Sequence, residues 1–422
     1  MRRRTAVVAL AMTLAACGAP TGDRTDGAGP PTAAARTAEL PSGVTYQRST
    51  RTLADGEPVR VHVLSVAPDS RATVTAVHGR TLAGTSTVRQ LAAGAGAAAA
   101  VNGTFFDVHT GEHHGGYEGD PLGIYGTDGR LLSEAANGST ALVLGGGRPR
   151  VTELRSATSV LSSDGARRTV DGIDRRPGRI LGCGGVSGDV LAGTDRLVTA
   201  PRHGELCVDD SELTDFRPQW GPSSPAAEPG SAEAVLDAHG TVTRLRSPAG
   251  GSIPADGRTL VGTGGAARWL RDHARVGHSL KVTNRVTDPR GVVVGGRGVS
   301  FVGAGPALVR GGHVWINARA NGYPASALTT RHPRTVAGVT ADGTLLLVVL
   351  DGRWPGTSVG ATFAETARIM VSLGAVDAVN LDGGGSSTAV VDGQVRNRPS
   401  GGHGSGPGER KVSNAIVIVP ER

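Results

Sequence analysis

Polar residues collect where hydrophobic runs end, most visibly in the segment VNLDGGGSSTAVVDG, Val379–Gly393. A plain hairpin needs only about two turn residues, so the extra ones require another explanation. Asp382 supplies a carboxylate. The three glycines that follow can turn consecutive backbone N–H groups into one concavity that suits an anion, and Ser386–Thr388 add hydroxyl donors. The sequence predicts an acid that works beside an anion-binding loop.

Two further polar clusters also follow apolar runs. One is NGTFFD, from Asn102 to Asp107, and the other combines HPRT, residues 332–335, with DGR, residues 351–353. Arg334 and Arg353 can each donate two parallel hydrogen bonds to phosphate oxygens. A carboxylate can act as nucleophile or as general base in a hydrolytic step, with a second group to stabilise the leaving oxygen. Asp107, Asp351 and Asp382 are the candidate catalytic carboxylates.

Metal binding stays open on the sequence alone. His109, His113 and His114 in DVHTGEHHGG favour a solvated loop over a metal site, because no flanking scaffold fixes them. Asp382 with Asp107 or Asp351 has the oxygen ligands that a hard cation such as Ca²⁺ prefers. No cofactor is expected, and a divalent cation is not excluded.

The elements that must position these clusters are short strands. The chain has 422 residues, with 65 glycines, 24 prolines and 38% hydrophobic residues, and this turn-dense composition is typical of many short strands. We predict an α+β fold of mixed, strand-rich sheets with a few packed helices in a single catalytic domain. The net charge of +7 is spread thinly and aromatic residues are only 3%, so nucleic-acid binding is unlikely.

Individual elements can be assigned from their periodicity. TLLLVVL before Asp351 predicts a strand buried on both faces, and TFAETARIMVSLGA, residues 362–375, predicts a helix that Gly374 ends. With the following VDAVNLD these indicate a β-α-β unit. STVRQLAAGAGA predicts a helix capped by Ser86 or Thr87, GGAARWLRDHA a second short helix, and AEAVLDAHGTVTRLR a hairpin.

The N-terminal residues resemble an export signal. MRRR precedes a short apolar run that ends in LAAC, Leu14 to Cys17, and this resembles the lipobox of bacterial lipoproteins. We expect residues 1–17 to be a lipoprotein signal peptide, 18–45 a flexible tether and 46–422 the catalytic domain. A diacylated Cys17 would hold the protein at the extracellular face of the bacterial cell membrane.

The two other cysteines are Cys183 and Cys207. In an exported protein, two thiols 24 residues apart favour a disulfide over a metal pair. Two separate buried thiols are the alternative.

Seven motifs, in order, resemble the phosphodiester glycosidase family over roughly residues 59–420. They are Asn-Gly-x-Phe-Phe-Asp at 102–107, Gly-Pro-x-Leu at 305–308, Pro-Arg-Thr at 333–335, Asp-Gly-Arg at 351–353, Asn-Leu-Asp-Gly-Gly-Gly-Ser-Ser at 380–387, Asn-x-Pro-Ser at 397–400 and Glu-Arg-x-Val at 409–412. One departure is Thr104, where the family commonly has Gly. Thr104 therefore raises the question whether the first loop keeps its usual backbone shape.

The resemblance implies hydrolysis of a sugar-1-phosphodiester, such as a phosphorylated cell-envelope glycan, between the anomeric carbon and the phosphate oxygen. The leaving phosphate is already a stable anion, so Arg or N–H donors can replace a strong general acid. The predicted substrate-binding residues are Asn102, Arg334, Thr335, Arg353, Gly383, Gly384, Gly385, Ser386, Ser387 and Asn397.

Each assignment has a structural alternative. The glycines suit close backbone packing, and Asp382 suits an Asx turn. Arg334 and Arg353 suit surface ion pairs, and Asn102 and Asn397 suit turns. Phe105 and Phe106 suit the core rather than a sugar platform. At the level of function, the alternatives are a non-catalytic binding protein for phosphorylated glycans and a metal-dependent phosphodiesterase. The oligomeric state is left open.

Overall fold

The computed structural model describes residues 40–107, 119–184, 186, 188–401 and 408–421. Within these ranges strands far outnumber helices, so the predicted strand-rich architecture is confirmed and the helical share is small. The helices are α1 (Val88–Ala95), α2 (Gly264–His273) and α3 (Phe363–Ser372), with 3₁₀ turns at Ala325–Leu328 and Gly384–Ser386. Cys17, the predicted leader and most of the tether, and the three loop histidines lie outside the described residues.

A seven-stranded antiparallel sheet, here the central sheet, carries most of the polar clusters at its strand ends. Its spatial order, with strands numbered along the chain, is β1 (Val44–Thr52), β2 (Pro58–Val66), β26 (Leu345–Leu350), β25 (Arg334–Thr340), β27 (Ala375–Asn380), β23 (Ala307–Arg310) and β24 (His313–Val314). All six residues of β26 are buried, as the unbroken apolar run predicts.

The predicted β-α-β unit is present with one strand inserted. β26 and β27 both pair antiparallel with β25, which lies between them, so they run in the same direction and α3 connects them. Thr362 caps α3, and its hydroxyl and the Glu365 carboxylate form the reciprocal capping box. Gly374 follows the helix at φ +88°, where a residue without Cβ is favoured.

A second antiparallel sheet supplies the first polar cluster. Its order is β29 (Gln394–Val395), β28 (Ala389–Val391), β5 (Ala99–Asn102), β31 (Asn414–Pro420) and β3 (Ala72–His78). Helix α1 packs on it, with Thr87 as the cap and Gln90 completing a capping box.

The remaining strands form two larger and three small sheets. The first of the larger sheets has the order β10 (Arg167–Thr169), β9 (Arg150–Ser162), β8 (Ser139–Leu144), β22 (Ser300–Gly303), β6 (Tyr125–Thr127) and β7 (Arg130–Ser133), and β21 (Leu280–Thr287) also pairs with β9. The second has the order β11 (Gly172–Ile173), β15 (Leu213–Phe216), β20 (Arg258–Gly262), β17 (Ala232–Leu236) and β18 (Val242–Arg246). The small ones are β12 (Arg179–Leu181), β14 (Leu206–Val208) and β13 (Val190–Leu191); β16 (Ser223–Ser224) and β19 (Gly251–Ser252); and β30 (Lys411–Val412) and β4 (Ser86–Thr87).

The largest buried cluster is shared by four of these sheets, the fourth contributing Phe216 of β15 and Val261 of β20. Leu347 and Val379 of the central sheet, Val101 and Ile416 of the second sheet, and Leu142 of the third all belong to it. Burying a side chain of this size contributes about 1.5–3 kcal/mol. This shared core fixes the strand ends, where the polar residues lie, relative to one another.

No helix among the described residues combines the length and the hydropathy needed to cross a bilayer.

Candidate functional site

The polar clusters meet because the strands that carry them are neighbours. β25 begins at Arg334, which pairs with Leu350, the last residue of β26 before Asp351. β27 ends at Asn380, which pairs with Val336, and the chain continues to Asp382. The backbone N–H of Asp382 donates to Gly103 O at 3.1 Å, so the end of β5 joins the same place. Three clusters that are distant in sequence therefore form one candidate site.

Asn102 holds this junction together. Its side-chain amide donates to Asp382 O at 2.7 Å, and its Oδ1 accepts hydrogen bonds from the Thr335 hydroxyl at 2.7 Å and from Thr388 N at 3.1 Å. Asn102 and Thr335 are fully buried. Both were predicted to bind substrate; their contacts instead position the loop that carries Asp382.

The Asp382 carboxyl is electrostatically unusual. Burial raises its pKa from 3.8 to about 7, against the opposing effects of the Ser386 hydroxyl, the Arg410 charge and the Gly383 N–H. The residue keeps partial solvent exposure. A carboxyl that is accessible and exchanges its proton near neutral pH suits acid–base or nucleophilic work.

The glycines after Asp382 serve close approach rather than a row of free donors. Gly384 N donates to Pro333 O, and the N–H groups of Ser386 and Ser387 donate to Gly383 O and Gly384 O. A Cβ on Gly383 would lie 2.9 Å from Pro333 O, and one on Gly385 would lie 2.0 Å from Gly401 O and 2.9 Å from the Arg410 guanidinium. The proposed N–H concavity loses three donors to these backbone bonds, and the packing alternative explains the glycines better.

Three buried hydroxyls follow the glycines. Ser386 Oγ, Ser387 Oγ and Thr388 Oγ1 all lack a hydrogen bond of good distance and angle with any residue the structure describes. Ser386 is nevertheless close enough to the Asp382 carboxyl to oppose the rise of its pKa. Buried polar atoms are normally paired, so Ser387 and Thr388, which have no such neighbour, are potential ligand contacts.

Arg334 is a buried cation without a carboxylate partner. It is 6% exposed, and its guanidinium donates to Ala361 O and Thr330 O at 3.0 and 3.1 Å and lies 4.1 Å from the centre of the Phe363 ring. Burial lowers its pKa to about 10. Within the described part of the chain no carboxylate forms an ion pair with it, so an anionic ligand would stabilise it.

Two more arginines flank the glycine loop. A Cβ on Gly384 would lie 3.2 Å from Arg353 Nη2, and one on the next residue, Gly385, would lie 2.9 Å from Arg410 Nη2. Burial lowers the pKa of Arg353, and the charge of Arg410 lowers it further. Arg353 also adopts φ +65°, which is strained for a residue with a side chain. An anion bound by both arginines would reduce the repulsion between their charges.

Arg410 is a functional candidate that sequence reasoning missed. Its motif, Glu-Arg-x-Val, had been recognised, but the side chain had been given no role. The available signal was an arginine directly before the short strand β30 and the largely buried β31, because a charge next to buried strands is either solvated or held by a specific partner.

A row of aromatic rings adjoins the same site and was also missed, except for Phe105. The Tyr323 hydroxyl donates to Gly305 O at 2.7 Å. Burial raises the pKa of this hydroxyl; the charge of Arg334 lowers it and the charge of Asp382 raises it. The His203 ring stacks on Tyr323 with centroids 3.8 Å apart, and Phe105 meets His203 edge-on at 4.9 Å. Phe106 is buried, as the core interpretation expects.

Asp351 and Asn397 form a buried network beside the site. Asp351 Oδ1 accepts from Asn397 Nδ2 at 3.1 Å and from Arg398 N at 2.9 Å, and Oδ2 lies 3.3 Å from His62 Nε2. Asn397 also donates to Ser387 O and accepts from Ala389 N. Oδ1 of Asp351 thus holds Asn397 and, through it, the loop around Ser387, while Oδ2 is engaged by His62 of β2.

Asp107 lies in the wall of a neighbouring cavity with Asp120 and Glu134. Thr104, where the family commonly has Gly, does not change the backbone shape of the first loop, because the residue does not adopt positive φ. Its hydroxyl and its backbone N–H both form hydrogen bonds with the Asn414 side chain. The loop therefore has no need of glycine at this position.

Among the described residues, one group of three carboxylates lies close enough to share a metal ion: Asp189, Asp209 and Glu212. Glu212 is already paired with Arg175. Asp382 belongs to no such group in the described ranges, so the geometry gives no support to a calcium site there. The predicted disulfide between Cys183 and Cys207 is present.

Comparison with known proteins agrees with this geometry. The phosphodiester glycosidase family model matches residues 230–419. A solved structure from Burkholderia pseudomallei, of a protein described only as exported, is 31% identical with a TM-score of 0.75, covering 86% of this chain and 75% of that one.

Two curated relatives are similar over shorter stretches. The uncharacterized SPβ prophage-derived protein YomE of Bacillus subtilis is 40% identical over 91 residues, 22% of this chain and 13% of its own length. The mouse N-acetylglucosamine-1-phosphodiester alpha-N-acetylglucosaminidase is 26% identical over 162 residues, 36% of this chain and 30% of its own length. The alignments span less than a third of either relative. The family match shows that residues 230–419 of this chain form a phosphodiester glycosidase domain.

Proposed function

We propose that the protein is an exported hydrolase that cleaves the glycosidic bond of a sugar-1-phosphodiester. The observation that carries the proposal is one carboxyl with a pKa raised to about 7, at the start of a glycine loop that Arg334, Arg353 and Arg410 all approach. None of the three arginines forms an ion pair at salt-bridge distance within the described residues. A binding site for phosphate alone has no use for an acid at its centre, because the two negative charges repel each other.

Asp382 acts at the anomeric carbon in this proposal. In the ionised form it either attacks that carbon and forms a glycosyl-enzyme, or removes a proton from the attacking water. Direct attack retains the anomeric configuration and water attack inverts it, so the first-formed product anomer distinguishes the two. Ser386 and the Gly383 N–H favour the ionised form that either route requires.

Arg334, Arg353 and Arg410 hold the phosphate. Their charges stabilise the phosphate monoester as it leaves, which removes the need for a strong general acid. The unpartnered hydroxyls of Ser387 and Thr388 are further candidates for contact with substrate oxygens.

Asp351 and Asp107 take no part in the bond-breaking step that we propose. Both oxygens of Asp351 are engaged in the network that includes Asn397, so it positions the loop. Asp107 belongs to the neighbouring cavity. No step requires a cofactor, and loss of activity in EDTA would instead favour a metal-dependent phosphodiesterase.

We further propose a location at the outer face of the bacterial cell membrane, with Cys17 as the lipid attachment site and residues 18–45 as a tether to the domain at 46–422. The LAAC motif and the similar protein described as exported support this location. A protein in that place would meet phosphorylated glycans of the cell envelope, which are the substrate class we propose.

The test is turnover of a panel of sugar-1-phosphodiesters by the wild-type protein, Asp382→Asn and Asp256→Asn. Asp256 is exposed on a turn and serves as the matched control. We expect Asp382→Asn to lose activity while Asp256→Asn keeps it. Wild-type protein that binds the panel without turnover would support the binding-protein alternative.

A further inference from the structure

A groove of mixed polar and apolar lining begins at the aromatic row. Its first part is walled by Phe105, His203, Tyr323 and Asn321. It shares Leu122 and Gly182 with the cavity that contains Asp107, a space of about 140 Å³. Tyr323 is the link to the candidate site. Its hydroxyl and the side-chain amide of Asn380, two residues before Asp382, both donate to Gly305 O, at 2.7 and 3.1 Å. Its ring centre lies 5.5 Å from that of Phe363, the ring that the Arg334 guanidinium covers.

His203 has the properties of a ligand contact in this groove. Its ring is partly exposed, and neither ring nitrogen bonds to any residue within the described ranges, although one face is covered by Tyr323. Burial lowers its pKa to about 4, so the imidazole is neutral at physiological pH and offers one donor and one acceptor. A neutral donor–acceptor pair beside aromatic rings matches the hydroxyls and C–H faces of a sugar better than it matches phosphate.

The disulfide holds His203 in this place. Cys183 O accepts a hydrogen bond from Arg202 N at 2.8 Å, and Cys207 lies in β14, which returns the chain to β12. His203 N then donates to Gly322 O at 3.3 Å, next to Tyr323. The residue is thus fixed from both sides, as positioning of a recognition group requires.

We propose that His203 is a sugar-recognition residue of the candidate site, and that the sugar lies toward the His203–Tyr323 end while the phosphate lies among the three arginines. The inference rests on the proposed function and deepens it by assigning the two halves of the substrate to opposite sides of Asp382. The imidazole hydrogen bonds to a sugar hydroxyl or amide, and the groove beyond receives whatever the sugar carries.

The experiment compares the wild-type protein with His203→Ala, His203→Phe and a control, Leu197→Ala, in which an exposed residue of the same disulfide-closed segment is changed. Titration calorimetry measures affinity for N-acetylglucosamine-1-phosphate and for inorganic phosphate. We expect both His203 variants to bind the sugar phosphate about tenfold more weakly, the size of one lost hydrogen bond, with phosphate affinity within twofold of wild type. Leu197→Ala should match wild type for both probes.

His203→Phe keeps the stacking on Tyr323 and so carries the test if the alanine variant melts early. Unchanged sugar-phosphate affinity in the folded variants, or equal weakening for both probes, overturns the sugar role. If the wild-type protein turns over a sugar-1-phosphodiester with a KM that His203→Phe does not raise, only this inference is wrong. Absence of turnover by the wild-type protein overturns the proposed function itself.

Discussion

The substitution Asp382→Asn should make the protein less active and, above neutral pH, more stable. The folded-state pKa of about 7 lies above the value of 3.8 expected for the unfolded chain. The folded protein therefore binds this proton more tightly, and the resulting stabilisation is complete below about pH 3.8 and is lost as pH rises to 7. Asparagine is neutral at every pH and avoids the loss.

The magnitude follows from the shift. About three pKa units at 1.36 kcal/mol each give an upper limit of about 4 kcal/mol. Partial solvent exposure and the loss of the Ser386 and Gly383 contacts to a charged oxygen reduce this, so we expect a gain of about 1–3 kcal/mol at pH 8. The gain should shrink to near zero or reverse at pH 4.

Urea unfolding of both proteins at pH 4, 5.5, 7 and 8.5 measures the effect, with Asp256→Asn as the exposed control. Turnover measured on the same samples should fall about 10³-fold, roughly 4 kcal/mol of transition-state stabilisation. A stability difference that is the same at pH 4 and pH 8.5 would refute the raised pKa. Wild-type turnover by Asp382→Asn would refute the catalytic role.

Three further predictions concern charge and anchoring. Arg334→Lys keeps the charge but loses the two-pronged donor, so substrate-analogue affinity should fall about tenfold or more with little change in Tm; an unchanged affinity would mean that Arg334 does not contact phosphate. Arg410→Gln should weaken inorganic phosphate binding and raise the pKa of Asp382, because the charge that favours the ionised carboxylate is lost. The rising limb of the pH–rate profile should then move to higher pH, and a profile that does not move would contradict the effect of Arg410 on Asp382. Cys17→Ser should release the protein from membranes or leave the leader uncleaved, as fractionation and intact-mass measurement would detect; unchanged membrane fractionation with a normally processed protein would count against lipidation.

The sequence predicts most of the site's framework because strand ends and caps have local signals. The all-apolar run before Asp351 became β26, the helix predicted over 362–375 became α3, and Thr87 became a cap in a reciprocal capping box. The polar residues directly after those runs do meet in space. Motif order therefore located Asp382, Arg334 and Asn102 in one place.

The roles within the site were harder to predict because hydrogen-bond partners are set by tertiary contacts. Asn102, Asp351 and Asn397 look like substrate or catalytic residues by type, yet their polar atoms are occupied by the protein. The glycines looked like an anion-binding loop, yet the carbonyls of Pro333 and Gly401 approach them too closely for any side chain.

Residues that reach the site from distant segments gave no local signal at all. His203 and Tyr323 lie 120 residues apart and stack only because the disulfide-closed segment folds back against Gly322. Cys183 and Cys207 predicted that a closed segment exists, but not which surface it would reach. Periodicity and motif spacing carry no information about such contacts.

Hydrolysis in ¹⁸O-labelled water tests the central claim most directly, because it reports which bond breaks. The assay uses wild-type protein and a sugar-1-phosphodiester that it turns over, with mass spectrometry of both products. We expect the label on the anomeric oxygen of the released sugar and none on the phosphate monoester. Label on the phosphate would show that the P–O bond is broken and would contradict the assignment of Asp382 to the anomeric carbon.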